Sequence, residues 1–158
     1  MREWHKEVIF ADDVRTKVRK GMDIVADAVK TTLGPNGKNV IIMHNMHVVT
    51  TKDGVTVARS IELSDDFENL GASFLTEAAM KTNDIAGDGT TTAIVIAQAL
   101  IDKGINAIEK GEKVCTFVDT VRKDTIEIAE NLNKASKPVK TEKEKKNIAS
   151  VSANDKEL

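Results

Sequence analysis

Apolar residues recur at three- and four-residue spacing from the start of the chain. Val14, Val18, Met22, Val25, Val29 and Leu33 fall on one face of a helix, and the spacing predicts that helix over residues 12–33. Asp12 or Asp13 is the expected N-cap, and Gly34-Pro35 is the expected stop. Gly21 inside the helix costs about 1 kcal/mol relative to Ala, which implies close packing by a neighbour. Pro35-Asn36-Gly37 reads as a turn. Two β-rich runs follow, 39–43 and 48–51, and the polar tip His44-Asn45-Met46-His47 between them predicts a hairpin. Asp53-Gly54 turns the chain again, and Val55, Ala58 and Ile61 predict a short helix.

A long helix is expected over residues 65–86, with Phe67, Leu70, Phe74, Ala78 and Ile85 as its apolar stripe and Gly71 and Thr82 filling the same face. Gly87-Asp88-Gly89 breaks it. A further helix runs over 91–109 and ends at Gly111. Val114, Phe117, Val118, Val121, Thr125, Ile128 and Leu132 define a last long helix that fades before Pro138. Residues 137–147 are charged and read as a solvated connection, after which 148–152 turn apolar again. The fold class is mainly α: a bundle of long helices with one small β-hairpin.

Composition narrows the function classes. The 158 residues suit one ordinary domain, and 23 basic against 25 acidic side chains leave a formal charge of −2. That balance argues against binding nucleic acid or an acidic membrane by bulk attraction. Aromatic residues make up only 3% of the chain, so base-stacking platforms are poorly supplied. Cys115 is the single cysteine, which excludes an internal disulfide and suits a reducing compartment. Its place near an apolar helix face predicts a buried, inert thiol. The N-terminal apolar run is too short for a secretory leader, and no stretch approaches a membrane span. The chain reads as soluble and intracellular.

Three glycine-containing segments carry the candidate chemistry. In Gly87-Asp88-Gly89-Thr90-Thr91-Thr92, glycines let the backbone approach a ligand, and threonines at a helix N-terminus add hydroxyls to unsatisfied N–H groups. Asp88 repels a phosphate directly but suits Mg²⁺ bridging phosphate oxygens. The lysine of a Walker loop is absent, and by themselves these six residues read first as a turn that caps a helix. Thr32-Leu33-Gly34-Pro35 is an ordinary helix stop that also lets backbone approach a nucleotide. Lys52-Asp53-Gly54 is an ordinary turn after a strand whose Asp53 is able to orient or deprotonate a water. His44 and His47 lack the third and fourth ligands a metal site needs.

In order along the chain, ADAVKTTLGPNGKNVII, TTKDGVTVARSIELSDDFENLGA, NDIAGDGTTTAIVIAQALI and the VSAND near the end resemble the group I chaperonins, the bacterial and mitochondrial heat-shock class. The resemblance runs from about Val8 to Asp155. It implies an ATP-driven folding machine built as a stacked ring of subunits, with this chain matching the N-terminal part of the equatorial domain. Thr32, Leu33, Gly34 and Pro35 match the first nucleotide-binding turn, Lys52 a further site position, and Asp53 a carboxylate associated with hydrolysis. Asp88 matches the Mg²⁺-linked aspartate, with Gly89, Thr90, Thr91 and Thr92 around the phosphates. Thr32, Lys52 and Thr91 match positions that frame a K⁺ ion.

The resemblance further implies an equatorial portion over 1–136 and the start of an intermediate domain over 137–158, with Ser152 in the rising stretch. The apical domain, the intermediate-domain carboxylate and the C-terminal equatorial half are not matched. The expected partners are other chaperonin subunits in a homo-oligomeric ring, with unfolded clients and a co-chaperonin only where the remaining domains are supplied. No nucleic acid or membrane partner is expected, and the expected location is the cytoplasm, or the mitochondrial matrix in a eukaryote. A non-catalytic interaction or scaffold module is the alternative, and a phosphotransferase using Asp88 and Asp53 a third.

Overall fold

The computed structural model describes residues 8–44 and 46–153. The charged stretch Met1–Lys6, Asn45 at the hairpin tip, and Asn154 and Asp155 of VSAND lie outside the described residues. The elements run α1 (Ala11–Lys30), β1 (Val40–His44), β2 (His47–Thr51), α2 (Gly54–Arg59), α3 (Asp66–Ala86), α4 (Thr90–Glu109), α5 (Val114–Ala135) and α6 (Glu142–Ala153). This is the mainly α fold with one hairpin that the periodicity predicts. The chain divides into two compact units between Lys103 and Gly104, inside α4. Among the described residues no helix is long and apolar enough to cross a membrane.

The first unit is organised around α1. Met22, Val25, Ala26 and Val29 are buried with Leu75 and Ala79 of α3, Val57 and Ala58 of α2 and Ile94 of α4. Two glycines let α1 and α3 touch backbone to backbone. A Cβ on Gly21 would lie 1.8 Å from the Glu68 carbonyl oxygen, and one on Gly71 would lie 2.0 Å from that of Val18. Charge reinforces the crossing, since Lys17 Nζ lies 2.6 Å from Asp65 Oδ2 and Lys20 Nζ 2.5 Å from Glu68 Oε1. Asp65 is also the N-cap of α3, its Oδ1 accepting from the N–H groups of Phe67 and Glu68. Between α1 and α4, Arg19 pairs with Asp102 at 2.9 Å and Gln98 donates to Asp23 at 2.5 Å. Partner numbers fall along α4 as they rise along α1, so the two helices run antiparallel.

The hairpin pairs Val40 with Thr51 through to His44 with His47. In the second unit the end of α4 closes at Gly111, and Gly104 lies close under the Phe117 ring. No residue of α5 is buried.

Several local expectations need correction. The N-cap of α1 is Phe10 and makes no side-chain cap bond; Asp12 and Asp13 sit in the first turn, where they favour the helix dipole instead. The helix ends at Lys30, so Leu33 leaves the stripe and is 48% exposed. On α3 the buried face is Gly71, Ala72, Leu75 and Ala79, whereas Leu70, Phe74 and Ile85 are exposed. Close backbone approach selects the small residues for the interior. Cys115 is exposed, because α5 buries nothing. Residues 142–147 are helical: Thr141 Oγ1 accepts from Glu144 N–H, and Glu144 Oε2 accepts from the N–H groups of Lys140 and Thr141. This capping box starts a helix in a stretch with few apolar residues.

Two outcomes are expected. Gly71→Ala gains about 1 kcal/mol of helix propensity, yet the new methyl must force α1 from α3. A net loss of about 1–3 kcal/mol in urea unfolding is expected, as for other overpacked positions. The Lys17 hydrogen bond, followed by the Glu68 N–H, holds the Asp65 carboxyl below its ordinary value. The folded chain therefore takes up that proton at lower pH than the unfolded chain. Its stabilising contribution is complete above the ordinary carboxylate range and is lost as pH falls through that range toward the lowered value. Asp65→Asn, which retains capping ability, flattens the acid limb of midpoint against pH.

Candidate functional site

Helix and strand ends supply all three candidate segments, and they lie in the first unit. The first follows α1. The Thr32 side chain is buried and its hydroxyl donates to the Val29 carbonyl at 2.8 Å, while Leu33 and Pro35 are exposed and Gly34 has φ of +76°. The second joins β2 to α2. Lys52 is exposed beside Asp53, and Asp53 caps α2: its Oδ2 accepts from Thr56 N–H at 2.8 Å and from the Thr56 hydroxyl at 2.6 Å. The Asp53 N–H donates to Thr51 Oγ1 at 3.0 Å. The loop is thus fixed from both sides.

The third segment joins α3 to α4. Gly87 ends α3 in the left-handed region at φ of 69°, and Gly89 repeats that conformation at 79°. A Cβ on either would meet nothing within 4 Å, so backbone conformation alone calls for glycine and the space over the loop is open. The Asp88 side chain is exposed and its Oδ1 accepts from Gly89 N–H at 2.6 Å. The first backbone bond of α4 runs from Ala93 N–H to Gly89 O at 2.9 Å. The N–H groups of Thr90, Thr91 and Thr92 therefore have no partner within the helix, and no acidic residue occupies its first turn. Thr90 is buried, Thr91 half-buried and Thr92 exposed. A 20-residue helix thus offers its positive end to solvent beside one exposed carboxylate.

The structure brings the second and third segments together. A Cβ on Gly54 would fall 2.3 Å from Thr91 Oγ1 and 3.2 Å from Thr91 Cα. The start of α2, capped by Asp53, therefore rests against the start of α4. Among the described residues no hydrogen bond joins the Thr32–Pro35 turn to either of the other segments. Thr56 was not singled out by the sequence reading, although the Asp-x-x-Thr spacing at 53–56 is a capping signal. Gly54 carried a signal only as a turn residue. Among the described residues no group of three or more His, Cys, Asp or Glu side chains gathers to hold a metal ion. One carboxylate beside free N–H groups instead suits a divalent cation that arrives with phosphate oxygens.

The sequence matches the TCP-1/cpn60 chaperonin family over residues 25–158. The similar solved structures include two of the chaperonin gp146 from the bacteriophage EL 2 (Pseudomonas aeruginosa), determined in the presence of ATP-BeFx. One, crystal form II, is 38% identical with a TM-score of 0.56, covering 65% of this chain and 20% of that one. The other, crystal form I, is 43% identical with a TM-score of 0.55, covering 58% and 17%. The chain belongs to the TCP-1/cpn60 chaperonin family, and it spans about a fifth of the length of the chaperonin it matches.

The Gly54–Thr91 approach yields a double-mutant cycle. Gly54→Ala is expected to cost about 1–3 kcal/mol by overpacking. Thr91→Ala in the same chain, by removing Oγ1, restores part of it, with a coupling energy of about 1 kcal/mol in denaturant unfolding.

Proposed function

We propose that this chain is the ATP-binding portion of a chaperonin subunit that assists protein folding through Mg²⁺-ATP binding and hydrolysis. The observation that carries the reading is the α3–α4 loop, where the N–H groups of Thr90–Thr92 lack helix partners, the Asp88 side chain is exposed, and the space over Gly87 and Gly89 is open. Oriented N–H groups at a helix start favour phosphate oxygens, and Gly89 leaves the backbone accessible. Asp88 would hold Mg²⁺ together with the phosphates, and the metal would supply neutralisation of charge on the transferring phosphoryl group. Thr32, Leu33, Gly34 and Pro35, at the end of α1, would supply a further turn whose backbone approaches the nucleotide. K⁺ would be framed by Thr32, Lys52 and Thr91.

Asp53 is the residue we assign to the attacking water. Both of its side-chain bonds from Thr56 fall on Oδ2, and the loop is pinned through Thr51, so the carboxylate is held in one orientation. A fixed carboxylate polarises a water without reorganisation. Turnover by a complete subunit would draw further groups from segments beyond the matched fifth. Assembly into a ring with other subunits, and action on unfolded clients with a co-chaperonin, belong to the same reading, as does a cytoplasmic or mitochondrial-matrix location.

The exposure of α5 supports a second reading, in which the chain serves as a non-catalytic module that docks on other chaperonin subunits. Val114, Val118, Ile126, Ile128 and Leu132 are all exposed on this helix. Calorimetric titration with ATP and Mg²⁺, run beside a sizing column, separates the two. On the first reading ATP binds only with Mg²⁺, and Asp88→Ala weakens it about 10-fold or more, equivalent to about 1.4 kcal/mol. Equal binding by the folded variant would refute the site. A nucleotide-indifferent chain that joins complete subunits would favour the docking module.

A further inference from the structure

The turn after α1 contains a second kind of chemistry, independent of any ligand. Gly34-Pro35-Asn36-Gly37 is a β-turn closed by Gly37 N–H donating to Gly34 O at 2.9 Å, with Lys38 N–H donating to Thr31 O at 2.8 Å behind it. Met46 is the only non-glycine residue at positive φ among the described residues, so Asn36 is not in the left-handed region and the turn matches type I, with Pro at its second position. Asn36 is exposed. It is also the only asparagine in the chain followed by glycine. An adjacent glycine leaves the next backbone nitrogen unshielded by a Cβ, so that nitrogen is able to reach the asparagine side chain. Here residue 37 has to be glycine, because a Cβ would lie 2.1 Å from the Thr32 carbonyl oxygen.

We propose that Asn36 is a site of spontaneous deamidation and isoaspartate formation, gated by opening of this turn. The Gly37 nitrogen gives its proton to solvent base and attacks Asn36 Cγ. The N–Cγ bond forms, the Cγ–Nδ2 bond breaks, and ammonia leaves with a proton from water. Water then opens the five-membered imide at either carbonyl, giving aspartate or isoaspartate, with no change of oxidation state. While the turn is closed, the Gly37 N–H is held by Gly34 O and its nitrogen is turned away from attack. The reaction therefore draws on the locally opened population. Isoaspartate adds a methylene to the main chain where Gly37 already crowds Thr32, so the closed turn does not re-form. A negative charge is left beside Thr32–Pro35.

The test uses the full chain in mildly alkaline buffer, with and without urea. Trypsin, cutting after Lys30 and Lys38, releases Thr31–Lys38 as one peptide. A gain of one mass unit and methyltransferase labelling of isoaspartate report conversion. In the folded chain Asn36 is expected to convert severalfold faster than any other asparagine, and severalfold slower than in urea. Asn36→Gln is expected to remove the signal from this peptide. An unchanged folded-state peptide after the urea sample has converted overturns the proposal. Equal rates with and without urea overturn the gate.

Discussion

The closeness of α1 and α3 is the constraint from which the rest of the first unit follows. Two missing Cβ atoms, on Gly21 and Gly71, bring each helix against a backbone carbonyl of the other. At that separation Lys17 and Lys20 reach Asp65 and Glu68, and Lys17 also lies 5.5 Å from the centre of the Phe67 ring. Farther along, Met22, Val25 and Val29 meet Leu75 and Ala79 in one buried cluster. Thr76, whose hydroxyl donates to the Ala72 carbonyl of α3 at 3.0 Å, also reaches toward α2, with the Ala58 carbonyl 3.4 Å away. The helices that carry the candidate loops are thus held by one buried cluster that reaches from the α1–α3 crossing to Val29, Val57 and Ile94 beside the loops.

Those loops share a design. Each leaves backbone donors or a carboxylate at the end of a regular element, so the rigid part of the fold fixes the direction of the polar group. Asp53 works at two levels here. Its carboxylate caps α2, and the glycine after it lets α2 press on Thr91. The cap and the close approach thus come from adjacent residues, the first from the Asp53 side chain and the second from the missing Cβ of Gly54.

Much of this was legible in the sequence. The stripe of α1 is built from large aliphatic residues at regular spacing, and Gly21 stood out against it as a packing site. The hairpin was legible from two β-branched runs around a polar tip. The inward face of α3 was harder to see, because Gly71, Ala72 and Ala79 carry little hydrophobic signal while the larger Phe74 and Ile85 face outward. The beginning of α6 escaped notice because its signal is a capping box among lysines and glutamates, with few apolar positions. For Cys115, periodicity indicated a face but not whether anything covers it. Of the candidate site, the residue types and loops were visible, and the family follows from their order. The contact between Gly54 and Thr91 was not, since it joins positions far apart in the chain.

Helix α4 gives the loop at its tip a remote anchor. Gln98 and Asp102 tie it to Asp23 and Arg19, roughly 12 and 18 Å along the axis from Thr90 at 1.5 Å per residue. A helix is stiff over that span, so the height at which the three threonines stand is registered by polar clamps two and three turns below. Side chains that touch nothing near the loop therefore act as its ruler, and the tip inherits whatever slippage those clamps permit.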